Sequence, residues 1–178
     1  MKAFDPTPVI TRTKEWLEQV VIGLNLCPFA KAVYDRNQIR FHVSLADNTD
    51  DLLLELMTEI LHLSSVSPQL TETTLLIHPF TLNKFLDYND FLDVADAALI
   101  ELELVGVIQI ASFHPRYQFA GTKPDDIENH TNRSPYPMLH LLREASIEKA
   151  VATYPDVDKI PERNIETLKK LEKFHNPK

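Results

Sequence analysis

Three short β-rich runs separated by two long amphipathic segments constrain this chain more than any other feature. Residues 39–45 (IRFHVSL) alternate apolar and polar side chains, as a half-buried strand does. Residues 73–78 (TTLLIH) and 107–113 (VIQIASF) are β-rich runs of strand length, and each ends at a His-Pro pair. Pro79 and Pro115 bar both strands from continuing inside a sheet, because proline has no N–H for the ladder. Between the first two runs, a helix opens at Asn48 or Thr49 and runs to about Ser64, with Leu52, Leu53, Leu56, Ile60 and Leu61 on one side. Between the last two, Thr81 is the expected cap of a helix reaching about Leu104, and Gly106 breaks it. Strand, helix, strand, helix, strand is the pattern of βαβ units. The predicted fold is therefore α/β (or α+β), with a sheet of three or more strands, mainly parallel and flanked by helices.

Further helices frame this centre. Residues 8–23 carry Ile10, Trp16, Leu17, Val20 and Val21 at helical spacing, with Thr7 as cap and Gly23 as stop. The compact turn 24–30 (LNLCPFA) follows, and Ser64 to Pro68 form a loop. After the third strand, residues 116–134 form a long polar loop, a length more often functional or mobile than idle. Ser134-Pro135 is a strong helix-start signal, so a helix is predicted from there to about Ala152, ended at Tyr154-Pro155. A last amphipathic helix runs from about Pro161 to Phe174. We read residues 1–178 as one domain, whose segment 156–178 docks on that domain or on a second copy, as in a homodimer. Neither repeats nor low-complexity segments occur.

Charge is segregated. The 178 residues carry 18 basic and 26 acidic side chains, a net −8, yet residues 46–105 hold twelve of the acids and only Lys84. The rest of the chain is slightly basic. An acidic block of this size repels phosphate backbones, so no nucleic-acid partner is expected, and its side chains are read as solvated helix faces. No apolar run approaches the length that crosses a bilayer, and residues 1–12 lack a signal-peptide core, so no membrane partner is expected. One cysteine excludes internal disulfides and fits a reducing, cytoplasmic setting. Three glycines argue against a glycine-rich phosphate loop. No cofactor can be assigned.

Ligands of open parallel sheets bind beyond the carboxyl ends of the strands. His78 and His114 both follow predicted strands, so they are candidates for acid/base or ligand-binding roles. The bland alternative for each is a buried histidine bonded to backbone. The helix predicted at Pro135 offers an N-terminal anion site, with Asn132, Arg133 and Ser134 beside it. On that helix His140, Arg143 and Glu144 would share a face, allowing a histidine–carboxylate pair for proton transfer. An Arg–Glu–His structural network is the alternative. Cys27 is either a small hydrophobe or a nucleophile, and the latter requires a lowered pKa and a base. Asn25 flanks it, and Tyr117 and Phe119 in the long loop either cover a ligand or pin the loop. Asp125, Asp126 and Glu128 match no calcium loop and read as a solvated acidic turn.

The motifs WLE…VIGLNLCPFA (from Trp16), SFHP…YQFA (from Ser112) and NRSPYP…HLLRE (from Asn132) resemble the bacterial family catalogued as domain of unknown function 1415. The resemblance covers most of the chain. It implies a bacterial origin and no particular activity.

The leading expectation is an enzyme or enzyme-like domain for a small anionic molecule, a carboxylate or phosphate. Its catalytic residues would be His114, His140, Glu144 and Cys27. The ligand-binding residues would be Arg133, Arg143, Asn132, Ser134, His78, Asn25 and Tyr117. One rival is a non-catalytic binding or interaction module whose polar motifs only stabilise the long loop. Another is a metalloprotein using His78, His114 and Cys27, although no pair shows metal-ligand spacing.

Overall fold

A computed structural model describes residues 4–175, with side chains as far as residue 172; residues 1–3 and 176–178 of the predicted domain lie outside it. Four strands form one sheet: β1 (Ile39–Val43), β2 (Thr73–Ile77), β3 (Ile108–Phe113) and β4 (Met138–Arg143). Their order is β1-β2-β4-β3. β1 pairs parallel with β2, while β4 pairs antiparallel with both β2 and β3. The mainly parallel sheet is thus corrected to a mixed one with a single parallel pair. The expected direction of β1, β2 and β3 is nevertheless kept. Two strands that are each antiparallel to β4 must run the same way, so β4 slots between β2 and β3 without reversing either.

β4 lies where a helix was predicted from Ser134-Pro135. A short apolar run such as MLHLLR fits either element by pattern, and length and context arbitrate. Here the context is the gap between β2 and β3, whose ladders β4 fills on both sides. Pro135 and Pro137 precede the strand, where their missing N–H groups cost the ladder nothing. The helix starts later, as α5 (Glu144–Thr153), the last of the chain's internal helices to be named after α1 (Thr7–Trp16), α2 (Ala30–Asp35), α3 (Thr49–Ser65) and α4 (Phe85–Glu101). α6 (Ile160–His175) follows a short 3₁₀ turn.

The sheet is covered on both faces. α3 and α4 bring Leu52, Leu56, Ile60, Leu63, Tyr88, Phe91 and Leu99 onto Leu76, Ile108, Leu139 and Leu141. α1 and the π-helical turn after it (Leu17–Ile22) cover Leu75, Ile77 and Met138 with Val9, Leu17 and Val21. β2 is buried at all five positions, which is why it reads as a continuous run. Each wholly buried Leu or Ile contributes about 1.5–3 kcal/mol relative to exposure.

Local details depart from the sequence reading for physical reasons. Asn48 caps α3 by accepting from the Asp51 N–H at 2.9 Å. Thr81 does not cap α4, which begins at Phe85 after Leu82 takes a left-handed φ of 60°. The Thr81 hydroxyl instead donates to the carbonyl of Ala46. Gly23 closes the π-helical turn, where a Cβ would stand 2.5 Å from the Gln19 carbonyl oxygen. The acids on α4, Asp87, Asp90, Asp93, Asp96 and Glu101, are all exposed, as expected. Glu59 is not: it is buried and takes a two-pronged bond from Arg40, at 2.7 and 3.0 Å. No helix among the described residues is long and apolar enough to cross a membrane.

Candidate functional site

The two His-Pro junctions do meet, but across β4 and around a tyrosine. Tyr88 of α4 stacks on His78 with ring centroids 5.8 Å apart and tilts against His114 at 5.1 Å. Its hydroxyl donates to Met138 O at 2.9 Å and accepts from the Phe113 N–H at 3.0 Å. Both histidines have no exposed surface. His114 Nδ1 accepts from the Arg116 N–H at 2.9 Å, so its proton lies on Nε2, which donates to Leu82 O at 3.1 Å. Both nitrogens are occupied by backbone, and burial lowers the pKa. His78 donates from Nδ1 to Thr81 O at 3.0 Å, while its Nε2 lone pair is buried without a partner. Burial lowers its pKa to about 4, so the ring is neutral at physiological pH.

His140 lies on β4, not on a helix. Its Nε2 is 2.6 Å from the Thr73 hydroxyl, which itself donates to Leu141 O, so the histidine nitrogen is the donor of the pair. Burial lowers its pKa to about 4 as well. Since side chains alternate along a strand, His140 and Arg143 point to opposite faces. Glu144 is the first residue of α5, and the shared helix face expected for His140, Arg143 and Glu144 does not form. Arg143 donates from Nη2 to Val66 O at 2.7 Å and to Thr71 O at 2.9 Å, clamping the turn between α3 and β2.

With no helix starting at Pro135, the expected anion site at its N-terminus is removed. Ser134 is buried and donates to Tyr136 O at 2.6 Å. Arg133 reaches back to the long loop, with Nε 3.4 Å from Tyr117 O, Nη2 2.5 Å from Pro124 O, and Nη1 3.0 Å from the His130 ring. Asn132 donates to Ser112 O at 3.0 Å. Asn129, wholly buried, holds the loop's middle by accepting from the Phe119 N–H at 2.9 Å and donating to Lys123 O at 2.7 Å. Tyr117 packs its ring on Phe85 and Phe119. Asp126 accepts from the Lys123 N–H at 2.7 Å, as a turn residue does.

This pinned loop borders a partly open cavity of about 460 Å³. Phe113, Phe119, Glu128, Thr131 and Asn132 form one wall. Val21, Leu26 and Cys27 form a second, and Pro161, Asn164 and Ile165 of α6 a third. Its volume falls in the range of small-molecule sites, and its lining is mainly apolar with a few polar groups, as such sites are. Asn164 Nδ2 donates to Leu26 O at 2.8 Å, tying α6 to the turn. Asn25, held at a left-handed φ of 52°, lies just outside, in a smaller adjoining cavity. The cavity is thus assembled from the Leu24–Cys27 turn, the end of β3 and the loop beyond it, all singled out by the sequence. Asn164 and Ile165 were missed, because nothing in an amphipathic helix says what its apolar face will cover.

The family model described as a protein of unknown function (DUF1415) matches residues 8–176. The chain belongs to this family. No curated protein and no solved structure matches it.

The chemistry open to this DUF1415 chain follows from the cavity wall. Burial pushes the Cys27 thiol up, and the Phe29 and Ala30 N–H groups offset only part of that. A raised thiol is protonated at neutral pH and is a poor nucleophile. None of His78, His114 and His140 lines the cavity. Among the described residues, no three metal-ligating side chains converge.

Proposed function

We propose that this domain is a small-molecule-binding module whose ligand occupies the cavity under α6 and is mostly apolar. The observation that carries the reading is the contrast between the cavity and the polar motifs. The cavity is lined mainly by Val21, Leu26, Phe113, Phe119, Pro161 and Ile165. Of the histidines and arginines that suggested acid/base or anion chemistry, His78, His114, Arg133 and Arg143 bond to backbone groups and His140 to the Thr73 hydroxyl. Cys27, Glu128, Thr131, Asn132 and Asn164 supply the few polar contacts that would orient a ligand. The polar motifs then serve the site by holding its walls. A lone protonated thiol at such a wall suits the reducing cytoplasm.

Cys27 is the reporter for the test. Decanol, a neutral apolar probe, is expected to slow alkylation of Cys27 in a saturable way and to raise Tm. Ile165→Trp, which fills the cavity, should abolish both effects while leaving Tm without probe nearly unchanged; Val21→Phe serves the same purpose from the opposite wall. Wild-type protein in which decanol neither protects Cys27 nor raises Tm would overturn the proposal.

A further inference from the structure

We infer that the ligand is an amphiphile with a carboxylate head, and that Arg163 on α6 receives that head. The inference rests on the cavity being a ligand site and adds the ligand's class.

A second cavity of about 130 Å³ adjoins the first, lined by Leu24, Asn25, Ile160, Arg163, Asn164 and Thr167. Asn164 belongs to both, and the same turn supplies both: Leu24 and Asn25 to the small one, Leu26 and Cys27 to the large one. On α6 the small cavity takes residues 160, 163, 164 and 167, one helical face, while 161 and 165 on the flank face the large one. The two chambers therefore lie side by side under one helix, parted at the Asn164–Leu26 bond.

Their chemistry differs. The large chamber is mainly apolar, and the small one presents a guanidinium, two amides and a hydroxyl. Arg163 is exposed, rests on the Tyr154 ring at 5.6 Å, and forms no ion pair among the described residues. The Asn25 side chain likewise makes no hydrogen bond among them. An unpaired guanidinium in fork geometry, with an amide beside it, matches a planar carboxylate. Glu128 in the large chamber sets the orientation, because it repels an anionic head there and leaves that chamber to the hydrocarbon end. The Arg133 and Arg143 anion site expected from the sequence is thereby replaced by one at Arg163.

The test compares decanoate, decanol and decyltrimethylammonium on the full chain, by calorimetry and by protection of Cys27. Decanoate should bind roughly tenfold more tightly than decanol, the scale of one charge-assisted contact, and the cationic amphiphile more weakly than either. The margin should shrink as salt rises, since the head is near solvent. Arg163→Gln should erase the tenfold margin of decanoate over decanol; being exposed, Arg163 can be replaced without loss of folding. Decanoate binding no tighter than decanol, or a margin that survives Arg163→Gln, overturns the head-group assignment while the cavity reading stands. Failure of all three probes to bind overturns both.

Discussion

Replacing Asn129 by alanine tests whether the 116–134 loop is built to form a cavity wall. Asn129 is wholly buried, accepts from the Phe119 N–H at 2.9 Å and donates to Lys123 O at 2.7 Å. Its Oδ1 also lies 2.9 Å from the Thr122 hydroxyl, whose one hydrogen is shared with Phe119 O at 2.8 Å. Each firm bond nets about 0.5–1.5 kcal/mol, and a group left orphaned costs about 1–3 kcal/mol. Lys123 is exposed, so water replaces the lost donor there; Phe119 is half-buried, and its N–H bears most of the penalty. The sum is about 2–3 kcal/mol for Asn129→Ala. At this chain length each kcal/mol moves Tm by about 2–4 °C, so the fall should be roughly 5–10 °C. Urea unfolding followed by Trp16 fluorescence measures it. Because Phe119, Glu128, Thr131 and Asn132 all come from this loop, Cys27 alkylation should accelerate by more than the loss of global stability alone produces. Asn129→Asp has the same shape but faces Lys123 O with a carboxylate oxygen, and protonation restores a donor. Its deficit relative to wild type should narrow as pH falls. A loss below about 0.5 kcal/mol for Asn129→Ala, with Cys27 no more reactive, would refute the anchoring role.

Two further perturbations probe the sheet beneath the site. His78 and His140 both have pKa values lowered to about 4 by burial, against an ordinary 6.5. Between those values the unfolded chain binds protons that the folded chain refuses, so stability is full above about pH 6.5 and falls as pH drops toward 4. The limiting slope is about 1.4 kcal/mol per pH unit for each histidine. Urea midpoints across this range should show the decline, His140→Gln should roughly halve its slope because His78 remains, and a level or rising profile toward acid would contradict the burial argument. Tyr88→Phe removes the hydroxyl that bridges the Phe113 N–H and Met138 O, leaving two buried backbone groups orphaned at the β3–β4 end. A loss of about 2–4 kcal/mol in denaturant unfolding is expected, and a near-neutral result would show that water or relaxation replaces the hydroxyl.

The same bonds explain how much of this molecule could be read from its sequence. β1, β2, β3, α3 and α4 were legible because each carries a local signal: alternation in β1, a β-rich run closed by a His-Pro pair in β2 and β3, and an amphipathic pattern in α3 and α4. β4 was not, because Ser134-Pro135 is a local signal and the demand for a strand is global: two ladders stand open between β2 and β3, and MLHLLR closes both. With β4 a strand, the shared face of His140, Arg143 and Glu144 is lost, since their spacing brings them together only on a helix. Several of the conspicuous histidine, asparagine and arginine side chains bond to backbone groups. A long loop tied down by Asn129, Asn132, Arg133 and the His114 ring needs many directed hydrogen-bonding groups, and these are the same residue types that catalysis uses. The cavity these residues support is lined by side chains with no chemical signature, Val21, Leu26 and Ile165, and drawn from three distant parts of the chain. A site made by apolar complementarity leaves its mark on the sequence only through the polar scaffold that holds its walls. In this chain the polar groups are therefore counted first against the backbone they serve, before any of them is assigned to chemistry.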